Sequence, residues 1–242
     1  MGPAARLDAA RRDPGRVVLE GVHALKHALR FGADVEVAWT CDRQRLLRLV
    51  AELAPDVAAH VRELAVEVDE ATWEQLAPRG IPSPALGIAV RRPVDVAAVL
   101  GDPAAAPVVL LEEPTHLGNV GAVVRVAAAA GAAGVLTTGL ADPWSPGAVR
   151  GAAGLQFAVP TARVAGVPAG DDRPLVALDP GGEVLGPGVV PPRAILAFGT
   201  ERHGLSTDLL ARADRRVAIP MRPGVSSLNL ATAVAIVLYG HQ

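Results

Sequence analysis

The chain has 242 residues, half of them hydrophobic and only 3% aromatic, with a net charge of −2. That balance excludes a globally basic nucleic-acid binder, so any nucleic-acid partner would have to be met by local arginine clusters. The single cysteine, Cys41, excludes an internal disulfide and a Cys-rich metal site, and no apolar run is long enough to cross a membrane, so a cytoplasmic protein is expected.

Residues 1–16 form a mildly basic arm, Arg6, Arg11, Arg12 and Arg16 against Asp8 and Asp13, which reads either as a solvated helix or as a binding arm. Val17-Val18-Leu19 reads as a strand and Glu20-Gly21 as a turn. A helix follows over 22–31, ended by Gly32. His23 and His27 lie four apart on it, a surface pair rather than a metal-ligand pair. A strand over 35–40, an amphipathic helix over 43–53, a strand over 65–68, a helix over 70–76 and a strand over 86–90 complete a small α/β unit. Arg91-Arg92-Pro93 reads as a linker. The expected division is therefore 1–94 and 95–242.

The second part opens with a helix over 94–100 and a strand over 107–111. That strand has no polar residue, as a central parallel strand requires. A helix runs to about Ala130, then a strand over 135–139 and a short helix over 146–152. Further strands are expected over 157–159, 175–178 and 195–198, with loop over 165–174. Residues 181–192 are rich in Gly and Pro and promise little regular structure. The last segment reads strand, loop, helix. Val217-Ala218-Ile219 is stopped by Pro220, Ser226 or Ser227 is a candidate N-cap, and a helix follows to Tyr239. That helix carries Leu228, Leu230, Val234, Ile236, Val237 and Leu238 with alanines between, so it is expected to be buried all round, on its own sheet and against something else such as a second subunit.

Three loops each follow an apolar strand and precede a helix, the place where ligands gather in open α/β sheets. In the first, Asn119 is a possible N-cap, Gly121 falls in the first helical turn, and Arg125 lies one turn beyond on the same face. A helix N-terminus with an overhanging guanidinium suits a phosphate, although a packing glycine and a surface arginine give the same pattern. Gly118-Asn119-Val120-Gly121, with Asp142 further on, also looks like half of a dinucleotide fingerprint, which keeps a nicotinamide enzyme as a distant alternative. The second loop places Glu201 between Gly199 and Gly204. The third offers Ser227 and Asn229, polar groups that are costly at the mouth of a buried helix unless bonded.

Taken together, LGNVGAVVRVAAAAGAAGV, FGTERHGLS and IPMRPGVSSLNLATAVAIVLY resemble the three ordered motifs of the SpoU/TrmH family of RNA 2′-O-ribose methyltransferases. The match covers 107–240, with weaker support from VVLEGVHALKHALRFG in the first domain. Two departures stand out: many members have Asp-Pro where His116-Leu117 stand, and Ser where Ala231 stands. The resemblance implies an α/β fold: a C-terminal SPOUT domain with a parallel sheet and a deep trefoil knot, preceded by a small α/β RNA-binding domain. It implies S-adenosylmethionine as cofactor, RNA as partner (ribosomal, or alternatively transfer RNA), a homodimer, and no metal. In the family's roles Arg125 would be catalytic, Asn119 and Glu201 would shape the site, and Ser227 and Asn229 would line it. Thr138, Gly139, Phe198, Gly199, Ile219, Met221 and Leu228 would hold the cofactor. A non-catalytic knotted RNA-binding protein is the rival from another functional class.

Overall fold

The structure, a computed structural model, describes residues 1–77, 80–81, 83–167, 172–200 and 203–240. Its strands are β1 Arg16–Glu20, β2 Val35–Thr40, β3 Ala65–Glu67, β4 Leu86–Val90, β5 Val108–Leu111, β6 Gly134–Thr137, β7 Thr161–Arg163, β8 Leu175–Val184, β9 Ile195–Phe198 and β10 Arg215–Ala218. The helices are α1 Pro3–Arg12, α2 Val22–Arg30, α3 Arg43–Leu53, α4 Ala58–Leu64, α5 Glu70–Leu76, α6 Val96–Gly101, α7 Leu117–Ala129, α8 Pro146–Ala152, α9 Thr207–Arg212 and α10 Leu230–Gly240. The chain divides into two compact units: Met1–Pro93 with Trp144–Ala158, and Val94–Pro143 with Val159–Gln242.

The first unit is built on a four-stranded sheet, β1-β4-β2-β3, in which β4 runs antiparallel to both neighbours and β2 pairs parallel with β3. The basic arm is the helix α1. It buries Leu7 and Ala10 on one face of the sheet, beside Val18, Trp39, Leu86 and Ile88. The other face is covered by α2 and α3 through Val22, Leu25, Leu46 and Val50.

Segment Trp144–Ala158 reads locally as helix and strand, but it belongs to this first core. Trp144, Val149 and Phe157 are buried with the residues of α2 and α3, and the Trp144 and Phe157 rings meet edge to face at 5.0 Å. The expected strand over 157–159 is instead a short 3₁₀ turn, Leu155–Phe157, and the strand comes later, at β7. Periodicity cannot tell a short apolar run in a turn from one in a strand. Polar bonds secure the segment: His27 Nδ1 donates to the Ala153 carbonyl at 2.7 Å, and Arg92 donates to that of Phe157 at 3.1 Å. Gly154 has φ +77°, and a Cβ there would stand 2.6 Å from the Ala24 carbonyl oxygen, so backbone and packing both require glycine.

The second unit carries a six-stranded sheet, β10-β8-β9-β5-β6-β7, in which every pairing is parallel. Its central strands are apolar because both faces are covered. Arg173, only 3% exposed, donates to the carbonyls of Val99, Leu100, Asp102, Ala106 and Arg193. A guanidinium at the C-terminus of α6 satisfies carbonyls that the helix itself cannot.

Strand β8 departs from expectation. It does not end at Leu178 but continues to Val184. Its pairing with β10 steps from Ala177↔Arg216 to Glu183↔Val217, so residues 178–182 bow out of the ladder between two ordinary pairs. Gly182 makes this possible. A Cβ there would come within 2.4 Å of the Arg216 carbonyl carbon. The glycines that argue against a strand in the sequence are what let the strand close up again after its bulge.

Candidate functional site

At the carboxyl ends of β9 and β10, beside the bulge of β8, lies a cleft of about 350 Å³. Phe198 closes β9, and Gly199 follows it. Thr200 and Gly204 exchange backbone hydrogen bonds at 3.2 and 3.0 Å, folding the loop back on itself. A Cβ on Gly199 would stand 2.0 Å from the Gly204 carbonyl carbon, and Gly204 itself has φ +65°. Beyond the loop, Ser206 caps α9, and its N–H and hydroxyl both donate to the Glu112 carboxylate, at 2.7 and 2.6 Å. The chain after β10 supplies the facing wall, Ile219, Met221, Ser227 and Leu228. The bulge of β8 contributes Leu178, Asp179 and Pro180. Apolar walls with a few polar groups at their rim are what an aromatic base and a short aliphatic chain require.

Beside this cleft the start of α10 meets the start of α7. Asn229 Oδ1 accepts the N–H groups of Ala231 at 3.0 Å and Thr232 at 3.3 Å, while its Nδ2 donates to Asn119 Oδ1 at 3.3 Å. The cap therefore belongs to Asn229 and not to Ser226 or Ser227, and α10 begins at Leu230. Capping fixes the amide orientation: with Oδ1 turned to the helix, only Nδ2 is left for Asn119. Asn119 in turn is not an N-cap. α7 starts two residues earlier at Leu117, with His116 in the capping place, so Asn119 lies in the first turn and Gly121 is carried into the second. Gly121 is buried, and Arg125 is exposed one turn on, with no hydrogen bond or ion pair among the described residues.

The structure thus brings Phe198, Gly199, Ile219, Met221, Ser227 and Leu228 to one cleft, and Asn119 and Asn229 into a hydrogen bond. Thr138 and Gly139 do not line that cleft. They follow β6, where the Thr138 hydroxyl accepts the Glu113 N–H at 3.0 Å and Gly139 (φ +71°) leaves room for the Glu113 side chain. Arg125 does not line it either, and Glu201 lies outside the described residues. Sequence reasoning missed Asp179 and His203, which do line it. The signal for Asp179 was a turn-forming Asp-Pro-Gly-Gly inside what proves to be a strand. Among the described residues no group of three or more His, Cys, Asp or Glu side chains is placed to hold a metal ion.

Comparison with known proteins gives this geometry a family. The model of the SpoU rRNA Methylase family matches residues 106–239, more than half of the chain. The chain belongs to that family. Over 238 residues the chain is 29% identical to an uncharacterized tRNA/rRNA methyltransferase of Synechocystis sp., covering 95% of this chain and 84% of that one. It is 36% identical over 145 residues to the 23S rRNA (uridine(2479)-2′-O)-methyltransferase of Streptomyces viridochromogenes, a stretch that is 54% of this chain and half of that protein. Among solved structures, the AdoMet-bound rRNA methyltransferase of Sinorhizobium meliloti superposes with a TM-score of 0.76 at 25% identity, over 98% of this SpoU methylase and 92% of the other chain.

Proposed function

We propose that the protein is an S-adenosylmethionine-dependent methyltransferase that modifies a ribose 2′-hydroxyl of RNA, with ribosomal RNA as the substrate. The observation that carries this reading is the convergence of the second and third family motifs on one cleft, with the first motif tied to the third through Asn229 and Asn119. The cleft fits the cofactor. Its volume of about 350 Å³ lies in the range of small-molecule sites. Gly199 lets the loop close against the Gly204 backbone, where a Cβ would stand 2.0 Å away, and Phe198, Ile219, Met221 and Leu228 offer apolar surface to an adenosyl group.

When bound, S-adenosylmethionine supplies a methyl group made electrophilic by a sulfonium. The rest is work for the chain. A ribose hydroxyl is a weak nucleophile, and its oxygen gains negative charge as its proton passes to an acceptor, for which the neighbouring phosphate of the RNA is suited. Arg125 is a poor base because its guanidinium stays charged, but its planar fork suits holding a phosphate and the adjacent ribose oxygen together. It stabilises the developing alkoxide through charge-assisted hydrogen bonds. Asn119 and Asn229 keep the two helix starts together beside it, Glu201 takes the family's site-shaping role, and Ser227 lines the approach.

The same reading assigns a deep trefoil knot to the second unit, RNA capture to the first, a homodimer through α10, and action in the cytoplasm. The test is transfer of labelled methyl groups from S-adenosylmethionine to ribosomal RNA, followed by mapping of 2′-O-methyl positions. Label in a ribose of ribosomal RNA is the expected result. Cofactor binding without transfer to any RNA would favour the non-catalytic RNA-binding alternative.

A further inference from the structure

The bulge in β8 needs a reason. A strand that leaves its ladder for residues 178–182 and returns forfeits pairing with β10, and bulges of this kind re-aim side chains next to functional sites. What this one delivers to the cleft is Asp179. One carboxylate oxygen, Oδ1, accepts the Gly181 N–H at 2.9 Å and so shapes the turn. That task needs only an oxygen acceptor, which asparagine or serine would also provide. The second oxygen and the negative charge are left over. Asp179 is half-buried, has no ion-pair partner among the described residues, and among the described residues that line the cleft it is the one carboxylate, with no lysine or arginine.

We propose that Asp179 is a specificity residue that makes the cleft prefer the positively charged methyl donor to its neutral demethylated product. This rests on the cofactor reading above. At neutral pH S-adenosylmethionine carries a sulfonium, an ammonium and a carboxylate, net +1. S-adenosylhomocysteine has a neutral thioether in place of the sulfonium and is net zero. Apolar walls cannot separate two molecules that differ by one methyl group by much. A carboxylate partly withdrawn from water can, because its attraction to the sulfonium is lost in the thioether, whereas its interactions with the ammonium and carboxylate are common to both molecules. Product would then leave more readily than donor, and less of the enzyme would be trapped after each turnover.

The experiment is calorimetric titration of the full chain with each of the two compounds. In the wild type the donor should bind more tightly than the product. Asp179→Asn keeps the acceptor for Gly181, so the bulge should survive, and the donor-over-product preference should fall by about five- to tenfold, mostly through weaker donor binding. An unchanged ratio in a folded Asp179→Asn protein overturns the proposal. Should that variant not fold, the wild type decides by itself: raising salt from about 50 mM to about 500 mM should weaken donor binding more than product binding. Equal salt dependence also overturns it. If the wild type binds neither compound, the cofactor reading itself fails.

Discussion

Arg125 is the residue on which the proposed chemistry turns. It stands exposed on α7, one turn past the buried Gly121, and makes no bond to the described residues, so its donors are available to a ligand. Arg125→Ala should lower turnover by about 10²-fold or more, the scale for losing one preorganised donor to a developing oxyanion. Arg125→Lys keeps the charge without the fork and should also fail substantially. Calorimetry should show S-adenosylmethionine binding little changed, because Arg125 does not line the cleft. Near-normal turnover in the alanine variant would remove Arg125 from the mechanism. His27 offers a different test. Burial pushes its pKa below the ordinary 6.5, outweighing the opposite pull of its bond to Ala153. The unfolded chain therefore takes up a proton more readily than the folded one as pH falls. Stability from a neutral His27 is fully present above about pH 6.5 and is lost as pH drops through the lower folded value. Melting temperature should decline between pH 7.5 and 5, and His27→Gln should flatten that decline.

Among the elements, the loop after β9 is the least tolerant of change. With a Cβ only 2.0 Å from the backbone of Gly204, Gly199→Ala cannot keep the turn as it stands. The variant should lose cofactor binding, read by calorimetry, while circular dichroism shows the sheet retained. Intact binding would mean the turn is not part of the cofactor site. Legibility differs from element to element for physical reasons. The helices α2, α3 and α5 and the central strands could be read because their apolar spacing is local and their neighbours agree with it. Gly199, Gly204, Ser227 and Leu228 could be placed together because loops with fixed jobs use few residue types. The β8 bulge could not. Its 178–182 segment is a strand interruption held by partners on β10, near forty residues away in sequence, and only the tertiary pairing shows that the strand resumes. The cap of α10 was misplaced by two or three residues for a related reason. Ser226, Ser227 and Asn229 are all good caps, and the hydrogen bond to Asn119 on another helix selects among them.

On the scale of the whole molecule, α10 is not enclosed in the single chain. Leu230, Val234, Val237 and Leu238 are buried, but Ile236 and Tyr239 are 38% and 52% exposed. The expectation of a helix buried all round is met on one side only. Apolar residues left open on an otherwise apolar helix are what the proposed homodimer would cover. Sedimentation or light scattering should give twice the chain mass at micromolar concentration, and Ile236→Asp with Tyr239→Glu should give the monomer. A monomeric wild type that still methylates RNA would count against the dimer.

Segment Trp144–Ala158 sets a timetable. The chain begins the first unit, leaves it at Pro93, and returns fifty residues later with Trp144, Val149 and Phe157 to fill its core. During synthesis at about 5–20 residues per second, the first ninety residues emerge with their apolar faces only partly covered and stay so for seconds. Their final fold waits on residues that the ribosome has not yet released. Four strands of the second sheet, β7, β8, β9 and β10, are made after that return. Both units are discontinuous in sequence, so no single cut separates one from the other. A fragment ending at Pro93 should therefore expose its unfilled core and aggregate, whereas the same fragment supplied with a peptide of residues 144–158 should fold.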